Sequence, residues 1–326
     1  MKRMNIKPYA GQHCETTATG TLLRQIGIDL SEPLLFGLGE GLSFIFWNMK
    51  TMDCPFLGGR IKPDLLTQNI AKNLNLKLTV KETTSIQKAW DNVKELIDHG
   101  QVVGLKLDSF YLEYFSEPIH FAAHYVAIYG YDEVQVYLVD TQQQGGEVRT
   151  SLRSLALARR EKGPMASKNL YYTIDIAATK YDLETAVMNA IRNNANEYLN
   201  PAIKNVSYKG ILKASSEIIT WFENSKNIES DFKTTATLME KAGTGGALFR
   251  NLYRDFLKEC YKLRKIVELK LAHESFIEIA GHWTSVSSLF EKAGSTKDIN
   301  YIYQASAILK DLSIREKKTM ELLATL

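Results

Sequence analysis

Cys14, His124 and Asp140 are the residue types of covalent nucleophilic catalysis, and each stands in a stretch whose pattern gives it a defined place. Cys14 lies in Gly11-Gln12-His13-Cys14-Glu15-Thr16-Thr17, where a loop turns into a helix. From Ala18 the apolar residues Ala18, Leu22, Leu23 and Ile26 recur at helical spacing, and Gly27 is a stop signal. Glu15, Thr16 and Thr17 suit a first turn. Cys14 is thus expected at the helix start or within a residue of it, beside N–H groups that carry partial positive charge. Such a position favours the thiolate, the nucleophilic form of cysteine. The same N–H groups suit a developing oxyanion. A lone cysteine is more often a buried structural residue. A pair of residues further along the chain argues past that reading.

The pair is His124 and Asp140. Residues 123–130 and 134–140 are rich in β-branched and aromatic side chains, and Tyr131-Asp132-Glu133 reads as a tight turn, which makes a hairpin. With 131–133 as the loop, Gly130 faces Val134 and His124 falls directly opposite Asp140, Cβ atoms roughly 5 Å apart. Val126, Ile128, Val136 and Leu138 make the rest of that face apolar. A carboxylate there orients the imidazole and stabilises its protonated form, the third-member role of a catalytic triad. A shift of one residue would send the two to opposite faces.

The elements that must hold these residues fall into two groups. After the first helix, Ser31-Glu32-Pro33 opens a second, and Leu42 to Trp47 reads as a buried strand. Cys54-Pro55 and Gly58-Gly59 punctuate a loop. A helix from Pro63 to about Leu74, a strand over 76–80, a helix from Ile86 to His99 and a strand over 102–107 follow. Beyond an aromatic loop, Phe110 to Phe121, come the hairpin, a strand at 147–150, a short helix from Ser151 and a strand at 170–174. Helices first and then mostly antiparallel strands give an α+β domain over residues 1–176. Residues 177–326 carry helical spacing alone, at about 181–199, 207–224, 229–242, 247–269, 273–292 and 298–325. Gly243-Thr244-Gly245-Gly246 and Gly294-Ser295 are the clearest breaks in this all-helical second domain.

Composition narrows the classes. With 326 residues, 45% hydrophobic and 24% charged, the chain is long enough for two cores. A net charge of +3 without a basic, aromatic-interleaved stripe argues against nucleic acid. Three widely spaced cysteines suit a reducing cytoplasm better than a disulfide scaffold. No signal peptide follows Met1-Lys2-Arg3, and Phe44-Ile45-Phe46-Trp47 is far too short to span a bilayer, so a cytoplasmic protein without membrane attachment is expected.

The order Cys14, His124, Asp140 on a helix start and two adjacent strands resembles the papain-like cysteine enzymes. A more specific resemblance lies in the words Gly11-Gln12-His13-Cys14, Leu30-Ser31-Glu32-Pro33-Leu34-Leu35-Phe36-Gly37-Leu38-Gly39-Glu40-Gly41 and His124-Tyr125-Val126. These resemble the N-terminal domain of the butirosin biosynthesis protein H family. The helical remainder, especially Gly245-Gly246-Ala247-Leu248-Phe249-Arg250, is similar to the uncharacterised domain that often follows it, so the resemblance covers nearly the whole chain. It implies an acyltransferase that takes an acyl group from the thioester of an acyl carrier protein and passes it to an amine on a small molecule in specialised metabolism. In those terms Cys14 attacks the thioester, His124 is base and then acid, and Asp140 orients it. The donor is a phosphopantetheine-linked substrate, no cofactor or metal is bound by the enzyme, and a homo-oligomer is compatible with the resemblance.

Papain-like enzymes usually carry a Gln six residues before the nucleophile as an oxyanion donor; here that position is Pro8. Gln12, and Gln142 with Gln143 beyond Asp140, are the side-chain candidates, and the backbone N–H of Cys14 is the safer donor. Glu40, among glycines 37, 39 and 41, would either bind an incoming ammonium group or cap nearby backbone. The Gly-x-Gly pattern there lacks the lysine and the preceding strand of a phosphate loop. His120 and His124 on one strand would stand about 13 Å apart, too far for one zinc ion. Between 149 and 168, Arg149, Arg153, Arg159, Arg160, Lys162 and Lys168 oppose only Glu161. Arg159, Arg160 and Lys162 are the centre of a surface that would steer an acidic carrier protein, although solvated helix charge is the ordinary explanation. Arg250 and Arg254 after the glycine-rich break would suit a phosphate, or a plain connection between helices. Against the transferase stand an amidase or peptidase of the same fold and a binding module without catalysis.

Overall fold

The computed structural model describes residues 2–49, 52, 54–163, 165–177 and 181–326. In chain order these form β1 (Lys2–Arg3), α1 (Cys14–Gln25), α2 (Glu32–Leu38), β2 (Leu42–Trp47), β3 (Phe56–Arg60), α3 (Leu65–Asn73), β4 (Leu76–Lys81), α4 (Ile86–Asp98) and β5 (Val103–Leu107). There follow β6 (His124–Tyr131), β7 (Gln135–Val139), β8 (Glu147–Ser151), α5 (Leu152–Arg160) and β9 (Tyr171–Ile176). The rest is helical: α6 (Leu183–Leu199), α7 (Ser207–Asn224), α8 (Ile228–Lys241), α9 (Arg250–Arg264), α10 (Val267–Thr296) and α11 (Asn300–Ala324). The class is α+β, with the antiparallel sheet in the N-terminal half and helices in the C-terminal half. No helix among the described residues is long and apolar enough to cross a membrane.

Two compact units divide the chain: Met1–Leu35 with Pro63–Tyr181, and Phe36–Lys62 with Asp182–Leu326. A boundary at 176 would place Phe36–Lys62 in the first unit; the structure places it in the second. The reason is where β2 buries its alternating side chains. Phe44 sits 5.4 Å from Trp283 between ring centroids, the Leu42 carbonyl accepts from Asn194, and Phe46 N–H donates to the Asn205 carbonyl.

In the first unit the strands run β4-β9-β5-β6-β7-β8, antiparallel throughout, with β1 added against the end of β6. Pairing of Leu105 with Val126 and Tyr171 sets one face, where Val93 and Ile97 of α4 and Leu155 of α5 complete an apolar core. Gly104 and Tyr172 belong to the opposite face by the alternation of a strand, and α1 packs there, Thr19 Oγ1 lying 3.1 Å from the Tyr172 hydroxyl. A Cβ on Gly104 would sit 2.1 Å from the Tyr172 ring, so this position admits no larger residue.

The second unit joins the antiparallel pair β2–β3 to α6–α11. Two glycine signals prove to be close approaches between elements. Gly59 lies inside β3, its Cβ position 2.2 Å from the Leu248 carbonyl, and Gly294 lies inside α10, its Cβ position 3.0 Å from the Lys233 side chain. Of the loop read before β3, Lys50, Thr51 and Asp53 lie outside the described residues. The break expected over residues 243–246 does separate α8 from α9, with Gly243, Gly245 and Gly246 at positive φ. The next two turns fall at Lys265 and Lys297, left-handed caps with φ of 52° and 57° that end α9 and α10. Arg250 does not await a phosphate: it is 0% exposed and its guanidinium is paired with Glu316 at 2.9 Å. Arg254 pairs with Asp255 at 2.8 Å.

Candidate active site

Cys14 is the first residue of α1 and is buried, 8% exposed. His13 before it has the extended backbone of an N-cap but makes no capping bond with its own side chain. Its carbonyl instead accepts from the N–H of Thr17 at 2.9 Å and from the Thr17 hydroxyl at 2.7 Å. The cap comes from elsewhere in the chain. The Glu32 carboxylate accepts from the N–H groups of Gln12 (2.9 Å) and His13 (2.8 Å) and lies 2.7 Å from the Thr16 hydroxyl. A carboxylate in that position satisfies orphan donors and complements the helix dipole. The Gly11 carbonyl accepts from Gln142 N–H at 3.0 Å, tying the cysteine loop to the turn after β7. Glu15, fully buried, accepts from Thr67 through its N–H (3.2 Å) and its hydroxyl (3.1 Å). The nucleophile's loop is therefore pinned from three directions.

His124 begins β6 and Asp140 follows the last residue of β7. Their opposition differs from the expected one. The hairpin closes at Tyr131↔Val136, so the direct pairing of His124 with Asp140 does not occur. Continued unchanged, that register would set the two side chains on opposite faces. The register shifts between Ile128 and Gly130, giving Ile128↔Leu138 and Ala127↔Val139 where Ile128↔Val136 was expected. This β-bulge returns Asp140 to the face of His124 as a diagonal neighbour. His124 Nε2 then lies 2.8 Å from Asp140 Oδ2, with Asp140 0% exposed.

With Nε2 facing Asp140, Nδ1 is the remaining ring nitrogen, and Cys14 is close enough for its sulfur to act on the imidazole. Burial by itself lowers the basicity of the imidazole. The charges of Asp140 and Cys14, with hydrogen bonds to both, outweigh it and lift His124 from 6.5 to about 10. Two residues of the aromatic loop complete the cluster. The Tyr114 hydroxyl donates to Asp140 Oδ2 at 2.7 Å, and the Phe115 ring stands edge-on to His124, centroids 5.4 Å apart at 89°. Asp140 Oδ1 accepts from Thr141 N–H at 2.6 Å.

The other expected site residues fare differently. Gln12 and Gln142 have exposed side chains, and their backbone N–H groups are taken by Glu32 and the Gly11 carbonyl. Glu40 belongs to the second unit, where its carboxylate accepts from Asn193 at 2.9 Å. Arg159 is a correction: it is 2% exposed and donates to the Ala89 and Asn169 carbonyls at 2.8 and 3.0 Å. Burial lowers its guanidinium to about 10, and it binds helix α4 to the loop before β9 instead of facing a partner. Arg160 and Lys162 are exposed. Glu32, Tyr114 and Phe115 carry parts of the site that sequence spacing did not reveal.

Residues 13–141 match the family model described as butirosin biosynthesis protein H, N-terminal, and residues 153–323 match the domain of unknown function DUF4872. The first match takes in Cys14, His124 and Asp140. No curated protein matches the sequence.

Proposed function

The chain belongs to the DUF4872 family, preceded by the N-terminal domain of butirosin biosynthesis protein H, and on that footing we propose a papain-like cysteine acyltransferase with Cys14 as nucleophile. The observation that carries the proposal is the buried line from Cys14 through His124 to Asp140, closed by the 2.8 Å contact. Its donor is an acyl group on the phosphopantetheine thioester of an acyl carrier protein, and its acceptor is an amine on a small molecule.

In the first half-reaction the Cys14 sulfur, its proton already held by His124, attacks the thioester carbonyl. The carbonyl oxygen gains negative charge at the N-terminus of α1, where the N–H of Cys14 is the donor closest to the nucleophile. The C–S bond to the pantetheine breaks and His124 returns its proton to the departing sulfur. An acyl-Cys14 remains. In the second half the amine attacks that thioester, His124 removes the proton from the attacking nitrogen, and Cys14 leaves as the amide forms. Asp140 holds the ring and stabilises the imidazolium at both stages. Splitting the reaction at an acyl-enzyme gives ping-pong kinetics.

Intact-mass measurement after incubation with loaded carrier proteins tests the proposal. The expected result is an added acyl mass on the wild type, none on Cys14→Ala, and its discharge when an amine is supplied. Rapid discharge by water alone would mark an amidase, and no adduct with any carrier or activated thioester would overturn covalent catalysis.

A further inference from the structure

The loop between β5 and β6 carries the inference. It is closed at both ends on one carboxylate: Asp108 Oδ1 accepts from the N–H of Phe110 (2.9 Å) and of Phe121 (3.0 Å). Midway, Glu113 fixes it to the start of α5, accepting from the Ser151 N–H at 2.8 Å and the Ser151 hydroxyl at 2.7 Å. Those bonds hold the Glu113 carboxyl below its usual range. Between these anchors the loop delivers Tyr114 to Asp140 and Phe115 to the ring of His124.

Resting on the acyltransferase reading, we propose that Tyr114 is a positioning residue of this site, acting through Asp140 by donating to the same oxygen that meets His124. The geometry gives Oδ2 two donors, the Tyr114 hydroxyl at 2.7 Å and His124 Nε2 at 2.8 Å, while Oδ1 takes the Thr141 N–H. Three donors around a fully buried carboxylate fix the direction of both oxygens, so the imidazole is aimed as well as charged. The hydroxyl also disperses the charge on Oδ2, which moderates the pull of Asp140 on the imidazolium. Burial and the charges of Asp140 and Cys14 push the phenol well above its usual range, so Tyr114 stays a donor.

The test uses Tyr114→Phe, which keeps the ring and removes one oxygen. Alkylation of Cys14 by iodoacetamide, followed against pH, reports the alkaline limb set by His124 and needs neither carrier protein nor amine. That limb moves to higher pH in the variant, by about half a unit, because Asp140 then holds the imidazolium more tightly. Where acyl transfer is measured, kcat falls by about tenfold with KM within about twofold, the size of one lost hydrogen bond to a charged group. In an Asp140→Asn background the same change has no further effect on either readout. A merely structural tyrosine would leave the alkaline limb in place and would add to Asp140→Asn; either result overturns the proposal. If no acyl transfer is detected with any donor while the limb still moves, the acyltransferase reading fails and the role of Tyr114 stands.

Discussion

Each unit buries a cluster of charge, and the two clusters end differently. In the helical unit Glu316 Oε1 accepts from Arg250 Nε at 2.9 Å and Trp283 Nε1 at 2.6 Å, while Oε2 accepts from Arg250 Nη2 and the Tyr198 hydroxyl. Arg250 Nη1 goes to the Leu248 carbonyl at 2.8 Å, and its guanidinium lies 4.7 Å from the centroid of the Trp283 ring. Every group there is answered by one that forms no covalent bonds. In the sheet unit Asp140 is equally well supplied, but the chain of contacts runs on through His124 to a sulfur. Buried charge therefore does not mark a reactive site by itself. What marks one is an open end that holds a nucleophile, beside backbone donors that can receive charge.

The largest expected effect breaks the helical cluster. Arg250→Met leaves Glu316 ionised and buried with two neutral donors, and should cost about 3–5 kcal/mol in denaturant unfolding. Adding Glu316→Gln removes the stranded charge while keeping an acceptor for Trp283, so the double variant should recover much of the loss. A double variant no more stable than the single would show that packing, not charge, holds this cluster.

Asp140→Asn is the matching change in the sheet unit, and its signature is pH dependence. His124 is raised from 6.5 to about 10, so its contribution to stability is complete below about pH 6.5 and is lost as pH rises through about 10. Between those limits the wild type should weaken by on the order of 5 kcal/mol. The variant lacks the larger of the two charges that lift His124, so burial weighs more and that slope should become shallower. Its acyl-transfer rate should fall by on the order of a thousandfold, since the ring loses both orientation and charge support. An unchanged slope would mean that Asp140 and His124 do not act as a charged pair.

Much of the sheet unit could be read in advance, and the limits of that reading are physical. Cys14 was placed by local signals, because helix starts are written in a few consecutive residues. The shared face of His124 and Asp140 was anticipated, but only because two departures from the expected register offset each other: a longer turn and the bulge at Ile128–Gly130. Tyr114 and Glu32 reach the site over long stretches of chain, from segments where no periodicity points at a partner. Arg159 was legible after all, since it shares the inward spacing of Leu155 and Ala158 on α5, all three buried. For Phe36–Lys62 the pattern announces a strand without saying which core receives it.

Glu32→Gln probes how the open end is held. The amide still offers an oxygen to Gln12 and His13, but it removes the charge that complements the start of α1. The expected loss is about 1 kcal/mol of stability, in the range of a helix cap, with a several-fold faster alkylation of Cys14 near neutral pH, because the anion beside the thiolate is gone. Unchanged alkylation would assign Glu32 to the fold alone.

The smallest effect concerns the surface that the proposed reaction would offer a carrier protein once Arg159 is withdrawn from it. Arg160 and Lys162 are exposed at the end of α5, in the same unit as Cys14. Exposed charges act mainly on encounter rates and are screened by salt. Arg160→Glu with Lys162→Glu should thus lower kcat/KM for an acidic carrier about three- to tenfold at low ionic strength, with kcat unchanged. The difference should shrink as salt rises toward about 0.5 M. A small thioester such as acyl-N-acetylcysteamine, which has no acidic surface, should react equally with both proteins at every salt concentration. If the small donor slows as well, the substitutions have disturbed the site itself. If neither donor slows, the carrier approaches by another face, and the basic run on α5 is solvated charge.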